Sequence, residues 1–178
     1  MPVTTNSVSS CRLQQGSTMA ETVIALFILA VGLLAVQAMQ LTSLRTNVSA
    51  SMRTDAQFLA EDMADRIMAY SNQSLLNPLL VTPADDYNGI DTNGAAVDPG
   101  CSAGGCNTAQ QRALDLFDWK TELEARLPGG RGTVNVVGNE VTTITVMWDN
   151  DRTGANGTGC SGDSQVDLAC YSVQLNLQ

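Results

Sequence analysis

The chain has 178 residues, 44% of them hydrophobic and only 4% aromatic, and its formal net charge is −9. This length favours one domain with a modest core. The acidic excess argues against binding to nucleic-acid phosphates, which depends on Lys and Arg. The chain contains no His, and it has no nucleophile elbow, phosphate-binding glycine loop or metalloprotease motif. We therefore expect no nucleic-acid partner, no enzymatic activity and no cofactor.

The first two segments differ sharply in polarity. Residues 1–16 are mostly polar, whereas residues 22–44 contain no charged side chain over 23 positions. A helix of that length rises roughly 34 Å, enough to cross a bilayer core of about 30 Å. An export signal has a shorter apolar stretch, followed by a small-residue cleavage site, and no such site follows here. The pattern predicts a retained membrane anchor rather than the buried helix of a soluble core.

The helical pattern continues beyond the apolar block, to about residue 72. Apolar side chains recur there at steps of three or four, which places them on one helical face. They are Leu41, Leu44, Val48, Met52, Ala56, Leu59, Met63 and Ile67. Asp62 and Arg66 are four residues apart on the charged face, where they can form an ion pair. The apolar stripe must be buried against another element.

Turn-forming residues dominate positions 71–107; short strands could lie among them, but the pattern does not allow us to place any. Thr108 and Gln111 have the spacing of a capping box, which predicts a second helix from Thr108 to about Leu127. Its expected apolar side consists of Leu114, Leu116, Phe117, Leu123 and Leu127. Pro128 and the two glycines after it end the helix.

The hydrophobic period then changes from that of a helix to that of a strand. Residues 133–137 and 141–148 alternate on either side of Gly138 and Asn139, which predicts a β-hairpin. A final strand with one buried face is predicted from Tyr171, Val173, Leu175 and Leu177. Because the helix stripe and the sheet face are each incomplete alone, we expect them to pack together. The predicted fold class is α+β, with the second half of a long N-terminal helix on an antiparallel sheet.

Five cysteines are present, at positions 11, 101, 106, 160 and 170. Cys11 lies in the polar N-terminal segment 1–16, apart from the others. The other four are an even number, which is typical of two disulfides in an oxidising compartment. Three pairings are possible. We favour Cys101–Cys106 and Cys160–Cys170, because each pair is local and flanked by turn residues. Zinc is disfavoured, since neither spacing is typical of a zinc site and no His completes one.

One loop has a partial metal-binding pattern. Residues 149–154, DNDRTG, resemble the first half of a calcium loop, in which Asp149 and Asp151 would be ligands. The fifth position is Thr153, however, and the twelfth is Cys160 instead of Glu. A polar turn after a strand is therefore the preferred interpretation, and calcium is the alternative; otherwise no metal is expected.

The N-terminal residues are similar to those of a known family. QQG followed by STMAE and an unbroken apolar helix resembles the class III signal of type IV prepilins, in which a polar leader ends in Gly and Glu is the fifth mature residue. The later segments AEDMADRIMAY, LDLFDWKTELEARLPGG and TITVMWDNDR look like those of PilV-type minor pilins. The resemblance covers nearly the whole chain. Two features depart from the family: Ser17 replaces the usual Phe or Met, and the nearest basic residue to Gly16 is Arg12.

The resemblance implies a division of the chain into three segments. Residues 1–16 would be a prepilin leader, residues 17–44 a hydrophobic transmembrane and assembly helix, and residues 45–178 a periplasmic ectodomain. The expected function is that of a minor pilin, held in the inner membrane and then incorporated into a cell-surface type IV pilus or its initiating complex. The alternatives are a minor pseudopilin of type II secretion and a non-polymerising, membrane-tethered periplasmic binding domain.

The resemblance also implies roles for three residues. Prepilin peptidase would cut between Gly16 and Ser17, and Ser17 would then be N-methylated. Glu21 would serve filament assembly by pairing with the terminal amine of a neighbouring subunit, so the major pilin and other minor pilins are the expected partners. A second interpretation of Glu21 is local: Thr18 and Glu21 have capping-box spacing, and an acid in the first turn is favoured by the helix dipole.

Overall fold

The computed structural model describes residues 18–76, 87–101, 103–137 and 141–176, and side chains 71–76 and 137 are not among the groups it describes. The described residues form two helices and four strands. These are α1 (Met19–Leu76), β1 (Ile90–Asp91), α2 (Thr108–Arg126), β2 (Arg131–Val137), β3 (Val141–Trp148) and β4 (Ala169–Asn176). The chain divides into two compact units, Met1–Arg45 and Thr46–Gln178, and α1 has residues in both.

The first unit contains the apolar part of α1. Its side chains are exposed from Thr18 to Arg45, including large ones such as Phe27 and Leu34. Among the described residues, this is the one helix long and apolar enough to cross a membrane. A long apolar helix near the N-terminus that buries nothing within the chain is compatible with a single-pass membrane anchor.

The second unit is built on a four-stranded antiparallel sheet with the order β1-β2-β3-β4. The predicted hairpin is confirmed, because β2 pairs with β3 from Arg131 opposite Met147 to Val137 opposite Val141. Its turn at Gly138 and Asn139 lies outside the described residues. The predicted final strand is also present, since Ala169–Asn176 pairs along its length with β3. Its last predicted apolar residue, Leu177, lies outside the described residues.

β1 was not predicted from the sequence. It is only two residues long, and Ile90 lies opposite Val134 of β2. Two residues are too few to show the alternation by which a strand is recognised, and the surrounding turn formers hide it. Positions 71–107 leave room for short strands that the sequence does not place, and β1 is one of them.

The core lies between α1 and the sheet, as the two incomplete apolar faces predicted. α1 contributes Met52, Ala56, Leu59, Ala60, Met63, Ala64, Ile67 and Tyr70. The sheet contributes Ile90, Val134, Ile144, Val146 and Trp148. Burying each large aliphatic side chain stabilises the fold by about 1.5–3 kcal/mol relative to its exposure. The predicted stripe is thus buried from Met52 onward, whereas its first members Leu41, Leu44 and Val48 are exposed.

The N-cap of α2 lies one residue before the predicted cap. Asn107, not Thr108, is the N-cap: its side chain accepts a hydrogen bond from Gln110 N–H at 2.9 Å, and Gln110 Oε1 accepts one from Asn107 N–H at 3.0 Å. Both Asn and Thr suit this position, but Asn is preferred. The Thr108–Gln111 capping box was therefore wrong by one residue, although the helix itself was right.

The buried face of α2 also differs from the predicted one. Its buried residues are Asp115, Trp119 and Leu123, and Leu127 is buried just beyond its end. Leu114, Leu116 and Phe117 are only partly buried. A charged residue at Asp115 concealed the i, i+4, i+8 spacing of this face, since a carboxylate is normally placed on the solvent side.

Trp119 fixes α2 against both α1 and the sheet. Its ring is fully buried, and its Nε1–H donates a hydrogen bond to the carbonyl oxygen of Leu59 on α1 at 2.9 Å. The ring lies so close to Gly132 of β2 that a Cβ at this position would overlap it. Gly132 is therefore the residue that lets the indole reach the sheet.

The two local disulfides favoured from the sequence are the ones present. Cys101 is joined to Cys106 immediately before α2, and Cys160 is joined to Cys170 on β4. Each cross-link closes a short segment in the unfolded chain, which stabilises the fold mainly by lowering the entropy of that unfolded state.

Candidate assembly site

Glu21 lies in the first turn of α1, at the start of the uncharged apolar block. Its backbone N–H donates to the carbonyl oxygen of Thr18 at 2.9 Å, and Thr22 Oγ1 donates to that of Met19 at 2.9 Å. The bond that joins Thr18 and Glu21 thus connects backbone atoms. Within the described part of the chain, the Glu21 carboxylate is exposed and has no hydrogen-bond or ion-pair partner.

The Glu21 carboxylate stands beside 23 uncharged positions, so moving this helix into an apolar environment costs free energy. At the centre of a bilayer a charged side chain costs about 2.5–3.5 kcal/mol on insertion scales, and near the interface it costs less. If the helix enters an apolar bundle instead, the buried carboxylate needs a cationic partner. The site can therefore select a neighbour that presents a positive charge at the right height along the helix.

The other two residues of the predicted site, Gly16 and Ser17, lie outside the described residues. Cleavage after Gly16 and methylation of Ser17 therefore stay predictions. Glu21 is the member of this set whose position the structure gives: four residues beyond Ser17 in sequence, on a regular helix.

In the second unit, α1 and α2 are joined through a buried carboxylate that the sequence did not single out. Asp115 is only 6% exposed. Its oxygens accept hydrogen bonds from Tyr87 Oη at 2.7 Å, Gln111 Nε2 at 3.0 Å and Arg66 Nη1 at 3.3 Å. Arg66 also pairs with Asp62 at 2.9 Å, as its spacing predicted. These contacts tie α1, α2 and the start of the β1 segment at one point.

The charge of Arg66 is stabilised by these acids. Burial lowers the pKa of the Arg66 guanidinium, but hydrogen bonds and Coulombic attraction from Asp62 and Asp115 outweigh burial, so its pKa is raised. A paired, hydrogen-bonded guanidinium can remain where an isolated charge would be expelled.

Asp149 is used inside its own loop. Its carboxylate accepts hydrogen bonds from the backbone N–H groups of Thr153 at 3.0 Å and Gly154 at 2.7 Å. Desolvation raises the pKa of Asp149, but the bonds from Gly154 and Thr153 more than offset it and lower that pKa below its ordinary value. Asp151 accepts from the amide of Asn150 at 2.9 Å. This geometry is that of a turn closed by a carboxylate, the preferred sequence interpretation.

A second acid organises the far end of the same loop. Asp167 accepts hydrogen bonds from the backbone N–H groups of Gly159 at 3.2 Å and Ser161 at 3.1 Å. Hydrogen bonds from the Ser161 side chain and backbone, and then from Gly159, lower the pKa of Asp167.

No group of three metal-ligating side chains occurs among residues 18–76, 87–101, 103–137 and 141–176.

A polar cavity of about 330 Å³ lies between α2, the turn after β1 and the turn before β2. Two cationic side chains, Lys120 and Arg131, line it. Lys120 Nζ donates to the carbonyl oxygens of Thr92 at 2.6 Å and Gly94 at 3.0 Å, and it pairs with Glu124 at 3.2 Å. The lysine thus connects the turn after β1 to α2.

Comparison of the chain with protein-family models, with curated proteins and with solved structures gives no match.

Proposed function

We propose that this chain is a minor pilin, a structural subunit of a type IV pilus or of the complex that initiates one. It is made with residues 1–16 as a leader, is cut by prepilin peptidase between Gly16 and Ser17, and is methylated at Ser17. Residues 17–44 hold it in the inner membrane, and residues 45–178 form its periplasmic domain. Its role is structural and not catalytic.

The observation that supports this proposal most directly is the form of α1. One helix begins with an exposed acid, continues through a charge-free apolar stretch that buries nothing within the chain, and ends with a stripe buried in the core of an α+β domain. A lipid anchor explains the apolar stretch, but it gives no reason for an acid at its start that has no partner among the described residues. Packing beside a helix with a positive N-terminus explains both.

The proposed mechanism is an exchange of environments for the apolar helix. In the membrane, lipid surrounds residues 22–44, and Glu21 lies near the cytoplasmic interface. On entering a filament, residues 22–44 exchange lipid for the helices of neighbouring subunits. Glu21 then pairs with the methylated amine of Ser17 on one of these neighbours. A subunit out of register would leave both charges buried and unpaired, which costs several kcal/mol. The pair therefore sets the axial position of each subunit.

The experiment that tests the proposal is intact-mass spectrometry of the chain purified from its native membrane. The expected mature protein lacks residues 1–16 and has a methylated amine on Ser17. A chain that retains Met1 would remove the required amine and favour a non-polymerising tether. Recovery of the processed chain in sheared surface filaments then supports a pilus, whereas its co-purification only with a secretion machine supports the pseudopilin alternative.

A further inference from the structure

The two edges of the sheet are protected very differently. β1, at one edge, has two residues and ends at the acidic Asp91, which is followed by a turn. β4, at the other edge, has eight residues, each with a partner on β3. Its uninterrupted register contains no bulge. Among the described residues, no strand pairs with the outer side of β4.

β4 lacks the features that normally prevent a sheet edge from pairing with another chain. Its sequence, ACYSVQLN, contains no charge and no proline. Natural edge strands are usually short, charged, bulged or interrupted by proline. None of the 18 acidic residues of the chain lies on β4, although the net charge is −9. The strand is a neutral row of backbone donors and acceptors on an acidic molecule.

The side chains of β4 specify the kind of strand that would fit. Tyr171, Val173 and Leu175 pack against the core but stay partly exposed, whereas Ser172, Gln174 and Asn176 face solvent. An added strand would continue both rows if it alternated apolar and uncharged polar residues, because successive side chains of a strand point to opposite faces. Its apolar residues would cover the exposed parts of the β4 row.

We propose that β4 is a docking edge for an extended segment of a different protein, added as a fifth, uncharged strand with basic flanks. A second copy of this chain is disfavoured as the occupant, because it would bring another strongly acidic domain within a Debye length of the first. A partner with Lys or Arg beside its strand would instead be attracted. The affinity comes from main-chain hydrogen bonds, and the specificity comes from the alternating side chains. This inference depends on the sheet edge and the net charge, and it is independent of the proposed pilus role.

The test uses the full chain in detergent micelles and a synthetic probe peptide, Lys-Val-Thr-Val-Thr-Val-Thr-Val-Lys. Amide hydrogen exchange is measured with and without the peptide, and affinity is measured by titration. We expect the peptide to slow exchange in Ala169–Asn176 and to leave β1 unchanged. A scrambled peptide with the same composition, in which apolar and polar residues do not alternate, should bind more weakly.

Two matched variants place one new charge on the same face of the sheet. Gln174, Thr143 and Asn135 lie opposite one another on β4, β3 and β2. Gln174→Lys places a cation on the edge, and Asn135→Lys places the same cation two strands inward. We expect Gln174→Lys to weaken peptide binding about fivefold or more, through like-charge repulsion at the edge, and Asn135→Lys to leave it nearly unchanged.

Equal thermal midpoints of the two variants establish that both are folded. Unchanged exchange in β4 at saturating peptide would overturn the proposal. So would equal weakening by the two variants, because it would mean that the peptide responds to net charge and not to the edge. Protection confined to the apolar part of α1 would assign the peptide to that helix and would likewise overturn it.

Discussion

At the scale of single residues, the chain contains two acids whose settings are opposite. Glu21 is exposed and lacks a partner among the described residues, whereas Asp115 is buried and accepts three hydrogen bonds. A buried carboxylate with satisfied oxygens stabilises the fold in which it lies. Glu21 makes no such contact with the described residues, and two roles are open to it: a local one at the first turn of α1, or the proposed pairing with a neighbouring subunit. The two residues therefore call for different experiments.

For Glu21, the informative change is Glu21→Gln. Gln keeps the ability to complete a capping box but has no charge. If the carboxylate pairs with a neighbouring amine, the variant should be processed and folded normally yet be lost from filaments, because the amine is left buried and unpaired. The fraction of the chain in sheared filaments measures this.

Glu21→Asp is the matched control, since it keeps the charge on a shorter side chain and should retain part of the assembly. Thermal unfolding and the intact mass of each variant show whether folding and cleavage survive. Normal entry of Glu21→Gln into filaments would instead identify Glu21 as a local cap.

For Asp115, the change to Ala removes the acceptor shared by Tyr87 and Arg66. We expect a loss of about 2–4 kcal/mol in the free energy of unfolding, because a buried hydroxyl and a partly buried guanidinium lose a partner. Urea unfolding of the full chain in detergent, followed by the fluorescence of Trp119 and Trp148, measures it.

Asp118→Ala is the control for this loss. Asp118 lies 3.8 Å from the same guanidinium, but its side chain is 45% exposed. Solvent screening limits such a pair to about 0–1 kcal/mol. Equal losses in the two variants would show that the stabilisation comes from charge in general and not from the buried contact.

At the scale of elements, helix α2 is defined by its two ends and one side chain. The Asn107 cap begins it, and the turn through Gly130 follows it, where a Cβ would overlap the carbonyl of Leu123. Between them, Trp119 connects α1 and β2. The position of α2 on the domain therefore depends on a few specific contacts in addition to its apolar area.

The cap gives a prediction at this scale. Asn107→Ala should lower the free energy of unfolding by about 1 kcal/mol, because the Gln110 N–H loses its side-chain acceptor. Thr108→Ala removes the residue that the sequence pattern nominated as the cap and should change stability by only a few tenths of a kcal/mol. Urea midpoints at constant slope compare the two. A larger effect at Thr108 would contradict the observed cap.

At the scale of the whole molecule, the two units rely on different sources of stability. The unit Thr46–Gln178 has a buried core and both disulfides. The unit Met1–Arg45 contains an exposed apolar helix that is long enough to cross a bilayer. The disulfides of the domain are stable in an oxidising compartment. The exposed apolar side chains of the helix can be covered by a bilayer. Together these features are compatible with a single-pass membrane anchor that carries a disulfide-bonded domain.

The disulfides supply the prediction for the molecule as a whole. Replacing Cys160 and Cys170 with Ser should lower the free energy of unfolding of the domain by about 2–3 kcal/mol, the entropy expected for closing a loop of about eleven residues. Reduction of the disulfides should lower the urea midpoint of unfolding, followed by tryptophan fluorescence, by more in the unaltered chain than in this variant. An equal shift in both would mean that Cys160–Cys170 contributes no stability.

Features that depend on residues close together in the chain could be predicted from the sequence. The apolar block, the helical stripe from Met52 to Ile67, the β2–β3 hairpin and the last strand all follow from the period of hydrophobic side chains. The two disulfides were favoured correctly because their cysteines are close in the chain. The assembly role of Glu21 was inferred from local pattern and resemblance, and it stays a prediction.

Tertiary structure alone decided the features that depend on residues far apart in the chain. The burial of Asp115 depends on Tyr87 and Arg66, which are 28 and 49 residues away. β1 exists because β2 offers it partners, and Gly132 matters because Trp119 lies against it. The open edge at β4 follows from strand order. No local pattern specifies such contacts, because the free energy that fixes them is gained only when distant segments are brought together.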